Sequence, residues 1–300
     1  MIFFHPNGKD PTSCFTFKIK INGHTIHPTT HLKYLGVYLD STLTGNYHIN
    51  ILTKKLKRAN GMLSKVRHYV PKEELKSIYH SIFSSHMIYG CQIWGQGSEN
   101  HIASIQKLQN RALRTIEFKN KDEDVDPLYV SNHVLKLTDF IKLQNCLLTH
   151  QFLNNQLPDC FNDYYFKLHT IYQTETRNSK LGCLFQPSRR TTSYGLNSIS
   201  HKSIISWNEI TKQMKTDLSS LSFHELKNII TISLISKYNH DDIVPLNYET
   251  IRQLLNNRAN NRVNNNNING PQQRRAGLVR PIDMPSRWGP AVPGAVPVNL

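Results

Sequence analysis

Two groups of carboxylates are candidates for metal chemistry. Asp241 and Asp242 form the only adjacent Asp pair, in Asn239-His240-Asp241-Asp242. Asp122, Glu123, Asp124 and Asp126 crowd a short stretch before Pro127. Two-metal phosphoryl transfer uses paired carboxylates to hold ions that activate an attacking hydroxyl and stabilise the leaving group. The Asp241-Asp242 pair follows an apolar helical segment, so capping or ending that helix is the favoured role. The second group reads as a solvated acidic loop. Cys146 and His150 stand four apart on a predicted helix, half of a zinc site. No second pair follows at zinc-ligand spacing, so packing is favoured. Ser, His and Asp are plentiful, but no strand–turn–helix nucleophile elbow is present. The five cysteines are odd in number and widely spaced, which argues against a disulfide framework. Most of them read as buried, reduced thiols.

The basic residues carry more weight. The chain has a formal net charge of +15 and a pI near 9.6, which favours a polyanionic partner. Lys54, Lys55, Lys57, Arg58 and Lys65 form a strip beside an apolar stripe. Such a strip is suited to neutralising phosphates without reading sequence; on these residues alone, an ordinary solvated face is the simpler reading. Lys107, Arg111 and Arg114 recur at spacings of four and three on another helix and support the same two readings. Tyr34, beside Lys33 and near Gly36, is placed either at a sheet edge or against a nucleic-acid backbone. Trp94 and Trp207 sit among apolar neighbours and read as core rather than as base-stacking platforms.

The elements that position these residues are predicted from periodicity. Phe15, Phe17, Ile19 and Ile21 alternate with polar residues, and Asn22-Gly23 then Thr25-Ile26 follow, a hairpin signal. Lys33 to Leu39 reads as a further strand that Gly36 bends or opens to another backbone. Ile49, Leu52, Leu56, Ala59, Leu63 and Val66 give a helical stripe over 47–67. Pro71 opens a second helix, with Glu73 and Glu74 in its first turn and Leu75, Ile78, Tyr79, Ile82, His86 and Tyr89 on one face. Helices follow over 101–117 and 138–154, and a shorter one over 199–212. Ser222-Phe223-His224-Glu225 has the form of a capping box and starts a last helix. Residues 170–198 read as irregular. From about 250 the chain is rich in Asn, Arg, Pro and Gly. Seven Arg and one Asp lie between 251 and 300, and a disordered tail is expected. No run approaches the ~18 apolar residues that span a bilayer. Met1-Ile2-Phe3-Phe4 is too short for a signal peptide, so an intracellular protein is expected. The fold class is mainly α with a small N-terminal β-hairpin and strand region (α+β).

Several segments, in order, resemble the reverse transcriptases of jockey-like non-LTR retrotransposons. They are Met1-Ile2-Phe3-Phe4-His5-Pro6, Lys33-Tyr34-Leu35-Gly36-Val37, His48-Ile49, Lys54-Lys55-Leu56 and Arg67-His68-Tyr69-Val70-Pro71. Tyr89-Gly90-Cys91-Gln92-Ile93-Trp94-Gly95 and Leu108-Gln109-Asn110-Arg111-Ala112-Leu113-Arg114 continue the series. Thr176-Arg177, Tyr194-Gly195 and Trp207-Asn208 complete it. The likeness runs over about 210 residues by order and spacing. It implies the end of a palm over 1–40, a helical thumb over 41–120, a mostly helical C-terminal region over 121–245, and a tail over 246–300 without counterpart. It further implies an RNA-directed DNA polymerase that copies an RNA template from a DNA primer in nucleus and cytoplasm, with Mg²⁺. The aromatic-Ala-Asp-Asp turn that binds that metal is absent here, so the catalytic palm and its Mg²⁺ are expected upstream of Met1. This chain then holds no catalytic or metal residue and no cofactor of its own. Lys33, Tyr34, Gly36, Lys54, Lys55, Lys57, Arg58, Lys65, Lys107, Arg111 and Arg114 would contact template and primer. The alternative is an element-derived nucleic-acid-binding or helical interaction protein without enzymatic activity.

Overall fold

The computed structural model describes residues 1–6, 19–97, 99–161, 181–184, 192–238, 248–253 and 255–256. Residues 1–253 form one compact unit, and 254–300 a second, of which two residues are described. The expected strand residues Phe15 and Phe17, the Asp241-Asp242 pair, Thr176-Arg177 and nearly all of the Arg-rich tail lie outside the described residues.

Two short antiparallel hairpins open the chain. Strands β1 (Ile19–Ile21) and β2 (His24–Ile26) pair Ile19 with Ile26 and Ile21 with His24. Their turn places Asn22 at φ 50° and Gly23 at φ 80°, the left-handed geometry that made Asn-Gly a hairpin signal. Strands β3 (His31–Tyr34) and β4 (Val37–Asp40) pair Tyr34 with Val37 and His31 with Asp40. The single strand read over 33–39 is therefore a tight hairpin. Leu35 and Gly36 form its two-residue turn, with φ of 44° and 83°. Gly36 suits such a turn; Leu35 does not, because its Cβ crowds its own backbone there. The Tyr89 hydroxyl donates to the Leu35 carbonyl at 2.6 Å and holds the turn in place. The Leu35 side chain is 73% exposed, so it contributes little packing. Leu35→Gly is expected to stabilise the fold by about 0.5–1 kcal/mol, read as a raised Tm with slower amide exchange at Val37.

Helix α1 (Asn46–Val66) buries Ile49, Leu52, Leu56, Ala59 and Leu63, as its periodicity predicted. Helix α2 (Lys72–Ile78) runs into a π-helical turn (Tyr79–Ser84) and then α3 (Ser85–Ile88). The buried residues along this rod are Leu75, Tyr79, Phe83 and Met87. The predicted face differs: Ile78 and Ile82 are half-buried, while His86 and Tyr89 are exposed. A 3.6-residue helix drifts about 40° for every four residues, so it cannot keep a strict four-residue stripe inward. The wider π turn unwinds the rod and restores it. Tyr79 and Phe83 then stack with ring centroids 5.3 Å apart.

Helix α4 (Cys91–Trp94) leads to α5 (Glu99–Ile116), which packs against α1. Asn60 on α1 donates to the Leu108 carbonyl at 3.0 Å. Helices α6 (Asp126–Asn132) and α7 (Leu137–Leu153) follow. A short α8 (Ser193–Leu196) precedes α9 (Ile199–Met214) and α10 (Phe223–Ser236), both packed against α7. The predicted capping box is formed: Ser222 and Glu225 exchange side-chain and backbone hydrogen bonds at the start of α10. Residues 248–253 are helical and Ile251 is fully buried, so order extends past the position where the tail was expected to begin. Among the described residues, no helix is long and apolar enough to cross a membrane.

Candidate nucleic-acid interface

Helix α1 contains no Asp or Glu, and its polar face carries Lys54, Lys55, Lys57, Arg58 and Lys65, all exposed. None of the five forms an ion pair among the described residues, whereas Lys72, Lys76, Lys119, Lys136 and Lys142 each do. Three like-charge neighbours lie one turn apart: Lys54 with Lys57, Lys54 with Arg58, and Lys55 with Arg58. Each costs about 0.2–0.5 kcal/mol in a helix. Within the chain this face is therefore electrostatically unfavourable. A polyanion would relieve it, with release of counterions.

The apolar stripe on the opposite side positions these cations. Leu56, Ala59 and Leu63 lock the helix onto its neighbours, which sets the rotation of the whole polar face. Lys55 stands at one border, close enough to act on His48. Burial, and then the Lys55 charge, hold the His48 imidazole below its ordinary pKa. The ring is 7% exposed. Its Nδ1 accepts the Tyr38 backbone N–H at 3.3 Å, while Nε2 is buried with no hydrogen-bond partner among the described residues. His48, Lys55, Gly36, His86 and Tyr89 line a cleft of about 310 Å³ between the β3–β4 turn and α3.

The second proposed group divides. Lys107 and Arg111 are exposed on α5 and form no ion pair among the described residues. Arg114 is half-buried and donates from both Nε (3.1 Å) and Nη2 (2.8 Å) to the Glu123 carbonyl. Its guanidinium ties the end of α5 to the acidic loop. Within that loop Glu123 pairs with Lys119 at 2.8 Å, and Asp126 pairs with Lys136 at 2.7 Å. A backbone N–H from Asn120 and the Lys119 ammonium draw the Glu123 carboxyl below its ordinary pKa. Asp124 accepts the Val125 N–H at 2.6 Å.

In the hairpin, Lys33 and Tyr34 are exposed, Tyr34 at 61%. The Lys33 ammonium lies 5.9 Å from the Tyr38 ring centre, across the strand pair. A Cβ on Gly36 would sit 3.0 Å from Tyr89 Cε1. Its close approach is thus to a side chain, where the sequence suggested a bend or another backbone. Trp94 and Trp207 are both buried, with indole N–H groups donating at 2.9 Å to Tyr89 and Gly182 carbonyls. Cys146 is fully buried and its thiol is pushed up to about 12 by burial. His150 Nε2 lies 2.8 Å from the Leu221 carbonyl.

Sequence reasoning missed the buried polar network around Gln109. Gln109 donates to the Leu135 carbonyl at 2.9 Å and accepts the Leu137 N–H at 3.1 Å. Gln106 donates to Gln109 and to the hydroxyl of Tyr129, which is itself buried. A polar residue inside an apolar stripe, as Gln109 is between Ile105 and Ala112, was the available signal. Among the described residues, no group of three or more His, Cys, Asp or Glu side chains is arranged to hold a metal.

Comparison with known proteins adds ancestry. The chain is 31% identical over 119 residues to a probable RNA-directed DNA polymerase from transposon X-element of Drosophila melanogaster. It is 29% identical over 115 residues to a probable RNA-directed DNA polymerase from transposon BS. A third relative, 30% identical over 103 residues, is the RNA-directed DNA polymerase from mobile element jockey, both from the same species. These matches cover 37%, 34% and 33% of this chain. The chain spans only 13%, 13% and 11% of the relatives' own lengths. No protein-family model matches, and no solved structure matches significantly. The likeness to jockey-like non-LTR reverse transcriptases is thus shown over about a third of the chain.

Proposed function

We propose that this chain, related over a third of its length to transposon RNA-directed DNA polymerases, is the part of such a reverse transcriptase that holds the template–primer duplex. It would supply phosphate contacts and no catalytic carboxylates. The observation that carries this reading is the acid-free face of α1, with five cations and no ion-pair partner among the described residues. Lys107 and Arg111 on α5 would extend the contact, Lys33 and Tyr34 would meet the strand near the primer end, and Arg114 would act through the loop it braces. Glu123 and Asp126 of the acidic loop are engaged in ion pairs and Asp124 in accepting backbone N–H groups, which supports placing the Mg²⁺ of the parent polymerase on other residues. The polymerase chemistry is therefore assigned to other parts of the parent protein.

A binding titration with a labelled RNA–DNA duplex at several salt concentrations tests this. Micromolar or weaker affinity with a steep inverse salt dependence is expected; affinity independent of salt would refute it. The alternative, an element-derived nucleic-acid-binding protein without enzymatic activity, draws on the common core buried by α1, α5, α7, α9 and α10. Primer extension by this chain alone would overturn both readings.

A further inference from the structure

Gly61 lies in the interior of α1, on its solvent face, and a Cβ there would meet nothing within 4 Å. No turn, positive φ or packing contact among the described residues requires glycine. A glycine in a helix interior loosens it relative to alanine because it adds backbone freedom to the unfolded chain. The reason for a glycine here must lie outside the chain or be absent altogether.

Its neighbours indicate what lies outside. Lys54, Arg58, Gly61 and Lys65 recur at spacings of four, three and four, which puts them on one helical face. Arg58 and Lys65 are about 10 Å apart along the axis, and Gly61 leaves a notch between them. Met62, 49% exposed, borders the notch with an apolar surface. A second copy of the chain would bring five more cations against these five and be repelled. A polyanionic backbone complements the face, and glycine is the residue that lets a ligand approach a main chain most closely.

We propose that Gly61 is the positioning residue at which the sugar–phosphate backbone of the duplex seats against α1, with Arg58 and Lys65 on its phosphates and Met62 against its sugars. This rests on the duplex-binding reading above and deepens it.

The test compares wild-type chain, Gly61→Ala and Gly61→Gln for thermal stability and for affinity to a labelled RNA–DNA duplex across salt. Both variants restore helix propensity, so Tm should rise by about 2–4 °C. Affinity should nevertheless fall, about threefold for Ala and about tenfold or more for Gln, as the filled notch draws the charge-assisted contacts apart. A purely local role would raise Tm and leave affinity alone. Wild-type binding with Gly61→Gln affinity within twofold of it overturns this inference and leaves the duplex-binding reading standing. No wild-type binding overturns both. Equal sensitivity of poly-glutamate binding to Gly61→Gln would mark an acidic protein as the occupant and overturn the assignment to nucleic acid.

Discussion

Charge reversal at Lys54, Lys55 and Arg58 together should weaken duplex binding by two to three orders of magnitude near 0.1 M salt. Each phosphate contact contributes about 0.9 to the slope of log affinity against log salt. Losing three contacts should therefore flatten that slope by about 3. The three side chains are exposed and form no ion pair among the described residues. Stability should then change by less than about 1 kcal/mol, and helicity followed by circular dichroism should be preserved. That combination identifies a binding surface. Unchanged affinity in a folded triple variant would show that the duplex docks elsewhere. Reversal at Arg114 makes a useful contrast. Its guanidinium serves the Glu123 carbonyl, so its loss should loosen the 120–126 loop as well as weaken binding.

Gln109→Leu should be the most costly conservative change in the fold, at about 2–4 kcal/mol. The side chain is fully buried and bridges α5 to the segment that starts α7. Leucine has a similar size but cannot bond the Leu135 carbonyl. It would strand that acceptor and part of the Gln106–Tyr129 network in a region that water does not reach. Urea unfolding should show a lower midpoint with an unchanged m-value. A cost below about 1 kcal/mol would mean that the neighbouring glutamine takes over the stranded groups. Comparison with Ile105→Val, one turn away and apolar, separates lost hydrogen bonding from lost volume, because that change should cost only about 1 kcal/mol.

Local rules were enough for the pieces whose physics is local. Asn22-Gly23 announces a turn because both residues tolerate positive φ, and that turn is present. Ser222 and Glu225 announce a helix start because each satisfies the other's unpaired N–H, and the box forms. The stripe from Ile49 to Leu63 predicts both the buried face of α1 and the placing of the cations opposite it. The ordered series of family-like segments pointed to a likeness to retrotransposon reverse transcriptases, and that likeness is found over about a third of the chain. The expectations for 15–18, for the Asp241-Asp242 pair and for most of the tail fall outside the described residues.

Other features exist only because distant segments meet. Gly36 reads as a bend until Tyr89, 53 residues later, bonds the Leu35 carbonyl and closes a hairpin. A strict 3.6-residue period misplaces the faces of His86 and Tyr89, since the π turn that rotates them follows from packing Tyr79 and Phe83 into one core. Arg114 shares its spacing with Lys107 and Arg111, yet a carbonyl from the next loop takes its guanidinium. Gln109 looks like an interruption in an apolar stripe and proves to be a bridge. Sequence by itself determined the helices, their polar and apolar sides, and the excess of positive charge, because propensity and periodicity act over one or two turns. Only the tertiary structure decided which cations stand without an ion pair among the described residues and that the notch at Gly61 stays open among them, because both depend on what the rest of the chain brings alongside.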